Sequence, residues 1–409
     1  MAEKNTFDFI GKIAPCKATE NFKPYEENEY DSGWRSKKLK FNMVCGTNRH
    51  TLEVNSVILS DSNKATVRSV AKGGQNTEGE KTKDKTVYIP FNDRLKQDVV
   101  DSIANYAKFI IDTEIPNRRQ NLEHAIDKFK SGEITDEQME KLGVKTLEEC
   151  ETALEKSKKK RHEYISEYDF IDFIKKLIEK DEIKNWMWHI TGDYTLEYNS
   201  KDDRWYMKFN PQRIYRADDN TESRSQGTFY VVFNNNAIDD SDFEETNKIH
   251  INGFVKQYLG NPYKKFCFSP MVFTIDGTGN DETKKKATVY KKKFVFPDEY
   301  DREYRQIGIV CNIIDGAQVV ELTEDMLSEE QRENLKYGLI TMEEIKRELG
   351  KPVYGDKVQD IVMTSLARGY SNGSKDTAYI EKDMAKPFVD NGDDDEGNAV
   401  EDIFDEDEI

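Results

Sequence analysis

Hydrophobic and polar positions alternate with a period of two through much of the first third of the chain. In SKKLKFNMVCG, Leu39, Phe41, Met43 and Cys45 fall on one face and Lys38, Lys40 and Asn42 on the other. That is the pattern of a half-buried strand. FDFIGKIAPC reads as an earlier strand with Gly11 in its middle, and an isolated glycine inside a strand marks a bulge or sharp bend. HTLEVNSVIL, KATVRSVA and KTVYIPF continue the series around the polar loop KGGQNTEGEKTKDK, and RLKQDVVDSIANYAKFII reads as a helix. Short strands with loops and one helix suit a small, strongly curved barrel over residues 1–112.

Over residues 113–185 the alternation stops and several helices are expected. ITDEQMEKLG opens on a Thr cap with acids in its first turn and closes at Gly143, and TLEECETALEK starts again at Thr146. Residues 186–322 return to strands rich in aromatic and β-branched residues: NWMWHITGDYTLEYN, RWYMKFNPQRIYRA, GTFYVVFNN, KIHINGFVKQY and KFCFSPMVFTI. VYKKKFVFP and IGIVCNIIDGAQVVEL extend the sheet. LSEEQRENLKYGLITMEEIKREL then matches the earlier ITDEQMEKLGVKTLEECETAL. Two ordinary capped helix pairs, or an old duplication that gave each β domain a helical hairpin, both account for the match. The expected chain is α+β and mostly antiparallel β. It has a β domain at 1–112, a helical insertion at 113–185, a second β domain at 186–388 with a helical hairpin at 323–350, and a disordered acidic tail at 389–409.

Composition narrows the class. At roughly 150 residues per domain, 409 residues make two or three domains. With 21 Phe, 20 Tyr and 4 Trp the chain is too aromatic to be disordered throughout. No apolar run nears the roughly 20 residues of a membrane span, and MAEKNTFDFIGKIAP lacks a signal-peptide core, so a cytoplasmic protein is expected. The five cysteines are odd in number and far apart without a CxxC, so disulfides are not expected. No Cys/His spacing suits zinc, and no metal or cofactor is expected. The net charge is −18, but eleven of the 79 acids lie between Asp390 and Ile409, where there is no Lys or Arg. The remaining 68 acids against 61 bases leave residues 1–389 at −7, a balance that permits a basic groove.

Enzyme signatures are missing. GQNTEGEKT is a near miss for a phosphate loop, because Glu80 separates Gly79 from Lys81 and would repel the phosphate. There is no GxSxG, HExxH or GxGxxG, and the acids show no spacing that singles out a nuclease pair, so no catalytic residues are expected. The positive signal is aromatic and basic residues interleaved on strands. One stretch holds Trp34, Arg35, Lys37, Lys38, Lys40 and Phe41; another holds Arg204, Trp205, Tyr206, Lys208, Phe209, Arg213, Tyr215 and Arg216. Single-stranded nucleic acid requires this mixture: cations follow phosphates and rings stack on unpaired bases, at roughly 1–3 kcal/mol per base. Alternation sends Trp205, Met207 and Phe209 to one face and Arg204, Tyr206 and Lys208 to the other, so about half of these aromatics belong to a core. Trp34 and Tyr206, flanked by cations or sharing their face, are the leading stacking candidates. The lysine runs at 156–163 and 283–293 are ordinarily solvated, though the second flanks a strand next to FVFP and could border a groove.

The chain ends in VEDIFDEDEI, an acidic run that keeps Ile403, Phe404 and Ile409. Candidate single-strand grooves followed by such a tail resemble the OB-fold single-stranded DNA-binding proteins of bacteria and of tailed-phage replication. The resemblance implies two OB-like barrels, single-stranded DNA as ligand in replication, recombination or repair, and a tail that docks replication proteins. On this sequence the docking peptide would comprise Asp402, Ile403, Phe404, Asp405, Glu406, Asp407, Glu408 and Ile409. The closing proline of the bacterial tail is missing and Phe404 lies five positions before the end, which leaves the partner open. Two tandem domains would raise affinity through effective concentration. The competing expectation is a structural or scaffold protein of a virion, with aromatics in cores and interfaces and a merely solubilising tail.

Overall fold

The computed structural model describes residues 3–384 apart from 21, 75–81, 200, 202–203, 260–264, 298–301, 320–322, 325–326 and 350–353. The tail residues Asp402 to Ile409 and the centre of the phosphate-loop near miss lie outside the described residues.

The N-terminal part contributes β1 (Thr6–Pro15), β2 (Tyr25–Glu29), β3 (Trp34–Cys45), β4 (Asn48–Leu59), β5 (Thr66–Ala71), β6 (Lys85–Pro90), β7 (Phe109–Asp112), β8 (Arg161–Tyr164), β9 (Trp188–Asn199) and β10 (Arg204–Arg216). Five of these strands pair into a closed circuit. β1 pairs antiparallel with β9 through Thr6–Gly11 and with β3 through Lys12–Pro15. β3 pairs with β4 from Trp34↔Leu59 to Cys45↔Asn48. β9 pairs with β10, and β10 returns to β4 in parallel at Phe209↔Leu52. Gly11 stands where β1 passes from one neighbour to the other. A Cβ there would lie 2.1 Å from the Val44 carbonyl oxygen, so only glycine permits this approach.

The C-terminal part contributes β11 (Arg224–Phe233), β12 (Ile238–Asp239), β13 (Lys248–Leu259), β14 (Lys265–Asp276), β15 (Arg305–Val319), β16 (Tyr354–Leu366) and β17 (Lys375–Asp376). It repeats the wiring. β11 pairs with β13 and β15, β13 with β14, β15 with β16, and β14 meets β16 in parallel at Thr274↔Val362. In both circuits the first strand pairs with the second and fourth, and the third runs parallel to the fifth. β1 and β11 then pair antiparallel, Thr6↔Thr228 to Ile10↔Arg224, which fuses the circuits into one 15-stranded sheet. β5 and β6 form a separate hairpin. One continuous core holds Phe9, Phe41, Leu52 and Trp188 of the first circuit together with Phe229, Phe273 and Ile309 of the second.

Helices fill the connections. α1 (Gln97–Ser102), α2 (Arg118–Ser131), α3 (Asp136–Leu142), α4 (Leu147–Lys158) and α5 (Glu167–Ile178) all lie between β4 and β9. α5 buries Phe170, Ile171, Ile174 and Leu177 in the main core. α2 and α4 pack around a small core of their own, with Leu122, Ala125, Cys150 and Leu154. α6 (Phe243–Thr246), α7 (Asp281–Lys291), α8 (Glu329–Lys336) and α9 (Met342–Leu349) belong to the second part. Among the described residues no helix is long and apolar enough to cross a membrane. All five cysteines are free thiols, and all but Cys16 are buried.

Several expectations need correction. The pairing does not divide the chain at 186. β9 and β10 complete the first circuit, so that circuit spans residues 6–216 and the second 224–366. The helix expected up to Ile111 ends at Ser102, and the apolar, β-branched Phe109–Asp112 is a strand against β10 and β8. β8 also interrupts the segment expected to be wholly helical. VYKKKFVFP does not extend the sheet: Val289 and Tyr290 lie in α7, which starts where the Asn280 side chain accepts from the amides of Glu282 and Thr283.

The sequence repeat is real at the level of caps. Thr135 and Ser328 each close a capping box with the glutamine three residues on, Gln138 and Gln331. Gly143 and Gly338 each follow with φ near +67° and +68°. Thr146 and Thr341 then accept from the amides of Glu149 and Glu344, both at 3.2 Å. The placement differs, however. α3–α4 lies between the third and fourth strands of its circuit and α8–α9 between the fourth and fifth. Duplication of a β domain together with its hairpin would have put them at the same point.

Candidate nucleic-acid interface

The two-residue turn between Cys45 and Asn48 fixes the register of β3 on β4, and that register builds the site. On the face turned away from the core, β3 presents Trp34, Ser36, Lys38 and Lys40, while β4 presents Arg49, Thr51, Glu53, Asn55 and Val57. The parallel contact with β10 adds Lys208 and Tyr206 beside them. Three ammonium groups converge on Glu53: Lys40 and Lys208 at 3.0 Å and Lys38 at 3.5 Å, while the Asn55 amide donates to it at 2.7 Å. Lys208 also donates to Glu197 at 2.9 Å. Burial pushes the Glu53 carboxyl up, but hydrogen bonds from Lys208, Lys40 and Asn55 outweigh it and hold its pKa at about 2. Glu53 is therefore ionised at neutral pH and organises the lysines in a row. Apolar surface flanks the row at both ends: Val57, 58% exposed, with half-buried Trp34 at one, and Tyr206, 47% exposed, at the other. The six residue steps of strand from Trp34 to Lys40 span about 20 Å.

Three residues of the first predicted cluster lie elsewhere. Residues 35, 37, 39 and 41 share the inward face of β3. Phe41 is fully buried in the core and has no surface to offer a base. Lys37 is 5% exposed; its ammonium donates to both Asp172 oxygens at 2.7 and 2.8 Å and lies 3.6 Å from the Tyr168 ring centroid. Arg35 lies over the rings of Phe91 and Tyr168 at 5.2 and 5.1 Å. Arg35 and Lys37 therefore clamp α5 to β3.

The second cluster is split along β10. Trp205 and Phe209 face inward as the alternation predicts: Phe209 is core, and Trp205 packs on it with its ring 5.3 Å from that of Tyr198. Arg204, Tyr206 and Lys208 face out. Beyond the irregularity at Pro211–Arg213, β10 leaves this face. Arg213 donates to the Asn105 carbonyl at 3.2 Å, and Arg216 lies 4.0 Å from the Trp186 ring centroid. Tyr215 and Arg216 line a separate pocket of about 400 Å³ with Asp112, Arg119 and His189. Tyr206 and Tyr215 are nine residues apart, on the order of 30 Å along a strand. The lysine runs do not join the track either: Lys160 pairs with Glu114 at 3.2 Å, and Lys284 to Lys286 lie on α7.

Sequence reading missed Glu53, Asn55 and Val57. The signal was present, since the tight turn at Gly46–Thr47 sets Lys40 opposite Glu53. On the second circuit the corresponding face of β13 and β14 is covered in part: Phe254 and Phe268 pack with Tyr304, Tyr379 and Met384 from later in the chain, while Tyr258 and Phe266 stay exposed at its end. Among the described residues no group of three His, Cys, Asp or Glu could hold a metal ion.

No known family model matches the chain, and no curated protein is similar to it. Among solved structures, a deletion mutant of the single-stranded DNA-binding protein from Thermus aquaticus is similar over 76% of this chain and 86% of that one, with 6% identity and a TM-score of 0.28. That score is too low to carry an assignment.

Proposed function

We propose that the two circuits are OB-like barrels and that the chain binds single-stranded DNA across the outer face of the first. The strand pairing supports the barrel reading, since in the OB arrangement the face over the second and third strands takes oligonucleotides. The observation that carries the functional reading is the row of Lys38, Lys40 and Lys208 with Trp34 and Val57 at one end and Tyr206 at the other. Three cations gathered on one carboxylate suit a phosphate backbone, and rings on either side of them suit bases that have no partner strand. Glu53 and Glu197 occupy lysine positions that phosphates would take. The role is non-enzymatic: the protein coats single strands during DNA replication or recombination, in the manner of the tailed-phage proteins its tail resembles. The tail at 389–409 recruits partner proteins through Ile403, Phe404 and Ile409.

One observation favours a protein-binding scaffold instead: Tyr337 and Leu339, 69% and 75% exposed, between α8 and α9. Fluorescence anisotropy of a labelled oligothymidine, beside a duplex of equal length and at two salt concentrations, separates the readings. Salt-sensitive binding of the single strand alone supports the DNA-coating role. No binding, with defined oligomers, supports the scaffold.

A further inference from the structure

The lysine row ends at Tyr206, and Tyr206 also lines a cleft of about 570 Å³ between β10 of the first circuit and the β13, β14 and β16 strands of the second. That volume falls within the roughly 300–1,000 Å³ of small-molecule pockets. Its wall is apolar at Met271 and Val272, the latter 52% exposed. Three of its polar residues, His250, Thr274 and Asp360, are joined in one relay. The Thr274 hydroxyl, 2% exposed, donates to Asp360 Oδ1 at 2.7 Å and lies 3.3 Å from His250 Nδ1. Since Thr274 gives its single proton to Asp360, His250 Nδ1 is the donor in the second bond, and neutral His250 keeps Nε2 as an acceptor. Asp360 Oδ1 also accepts from the Ile361 amide at 2.7 Å, and among the described residues Oδ2 has no hydrogen-bond partner.

The cleft therefore offers a ring at its mouth, an apolar wall and two acceptors from separate strands. Asp360 and Asp315 on its lining outnumber Arg204 and disfavour phosphate. A nucleic acid strand held on the lysines two positions along β10, about 7 Å from Tyr206, could place a base here but not its backbone. We propose that this cleft is a nucleobase subsite, which rests on the single-strand reading above, and that it prefers bases carrying an exocyclic amino group. Cytosine N4 donates where thymine O4 only accepts, so two acceptors favour cytosine. Tyr206 supplies the stacking partner.

The test is anisotropy of labelled oligodeoxycytidine and oligothymidine of equal length at neutral pH. Wild-type protein should bind the cytidine strand about fivefold tighter, the worth of roughly one hydrogen bond. Asp360→Asn turns an acceptor into a donor and should abolish or reverse the ratio. Val272→Trp, at an exposed position of the wall, should fill the cleft and remove the ratio. Thermal melts confirm that both variants fold. Equal affinities in wild type, or an unchanged ratio in Asp360→Asn and Val272→Trp, would overturn the base subsite and leave DNA coating intact. Absence of binding to either strand overturns both.

Discussion

His50 on β4 donates from Nε2 to the Ser225 hydroxyl on β11 at 2.6 Å. The direction is fixed because Ser225 spends its own proton on the Ile313 carbonyl of β15, at 2.8 Å. Both residues are buried, and the imidazole stacks on Phe9 at 4.5 Å. One hydroxyl thus joins the first circuit to two strands of the second.

Ser225→Ala would leave a buried N–H and a buried carbonyl short of partners, at about 1–3 kcal/mol each. Urea denaturation should show a fall in midpoint of that order for both circuits together. A loss confined to one of two separate transitions would contradict the coupling.

Lys37 and Lys38 are adjacent in sequence and opposite in role. Lys37→Ala strips Asp172 and the Tyr168 ring of their cation and should cost about 1–3 kcal/mol of stability, with little effect on oligothymidine affinity. Lys38→Gln, Lys40→Gln and Lys208→Gln should do the reverse. Removing one lysine–phosphate pair should reduce the slope of log affinity against log salt by about 0.7. Equal slopes in the lysine-row variants and wild type would remove the row from the binding site.

Glu53 gives a pH dependence whose sign is set. Its folded pKa of about 2 lies below its ordinary value, so its contribution is fully present above about 4.5 and is lost as the pH falls through 2. The stability difference between wild type and Glu53→Gln, read by circular dichroism in denaturant, should shrink across that window. The same variant removes a negative charge from among the lysines. It should tighten single-strand binding at low salt, with the gain fading as salt screens the row.

Gly11→Ala would drive a methyl group against the Val44 carbonyl. A destabilisation above about 4 kcal/mol is expected, because the obstacle is backbone and cannot rotate away. Expression with a wild-type melting temperature would show that β1 can bend without glycine.

The lysine row was half legible in the sequence. Alternation along β3 correctly separated Leu39, Phe41, Met43 and Cys45 from Lys38 and Lys40, and along β10 separated Phe209 from Tyr206. The same parity, carried back two steps, already turned Lys37 and Arg35 inward; reading the cations as one cluster hid it. Glu53 could have been found from the tight turn. Membership of the circuits could not. β9 and β10 follow five helices and close on β1 and β4, more than a hundred residues earlier, and nothing local records that return. The α7 error had a local remedy, since Asn280 followed by Asp281 and Glu282 is a helix start.

The β1–β11 pairing has a mechanical consequence. Two units joined by a flexible linker can reorient against each other. Here five backbone residue pairs and a shared core weld the two circuits. On the proposed single-strand reading, the number of nucleotides covered per molecule should then stay constant as salt is varied, the strand bending to fit the protein.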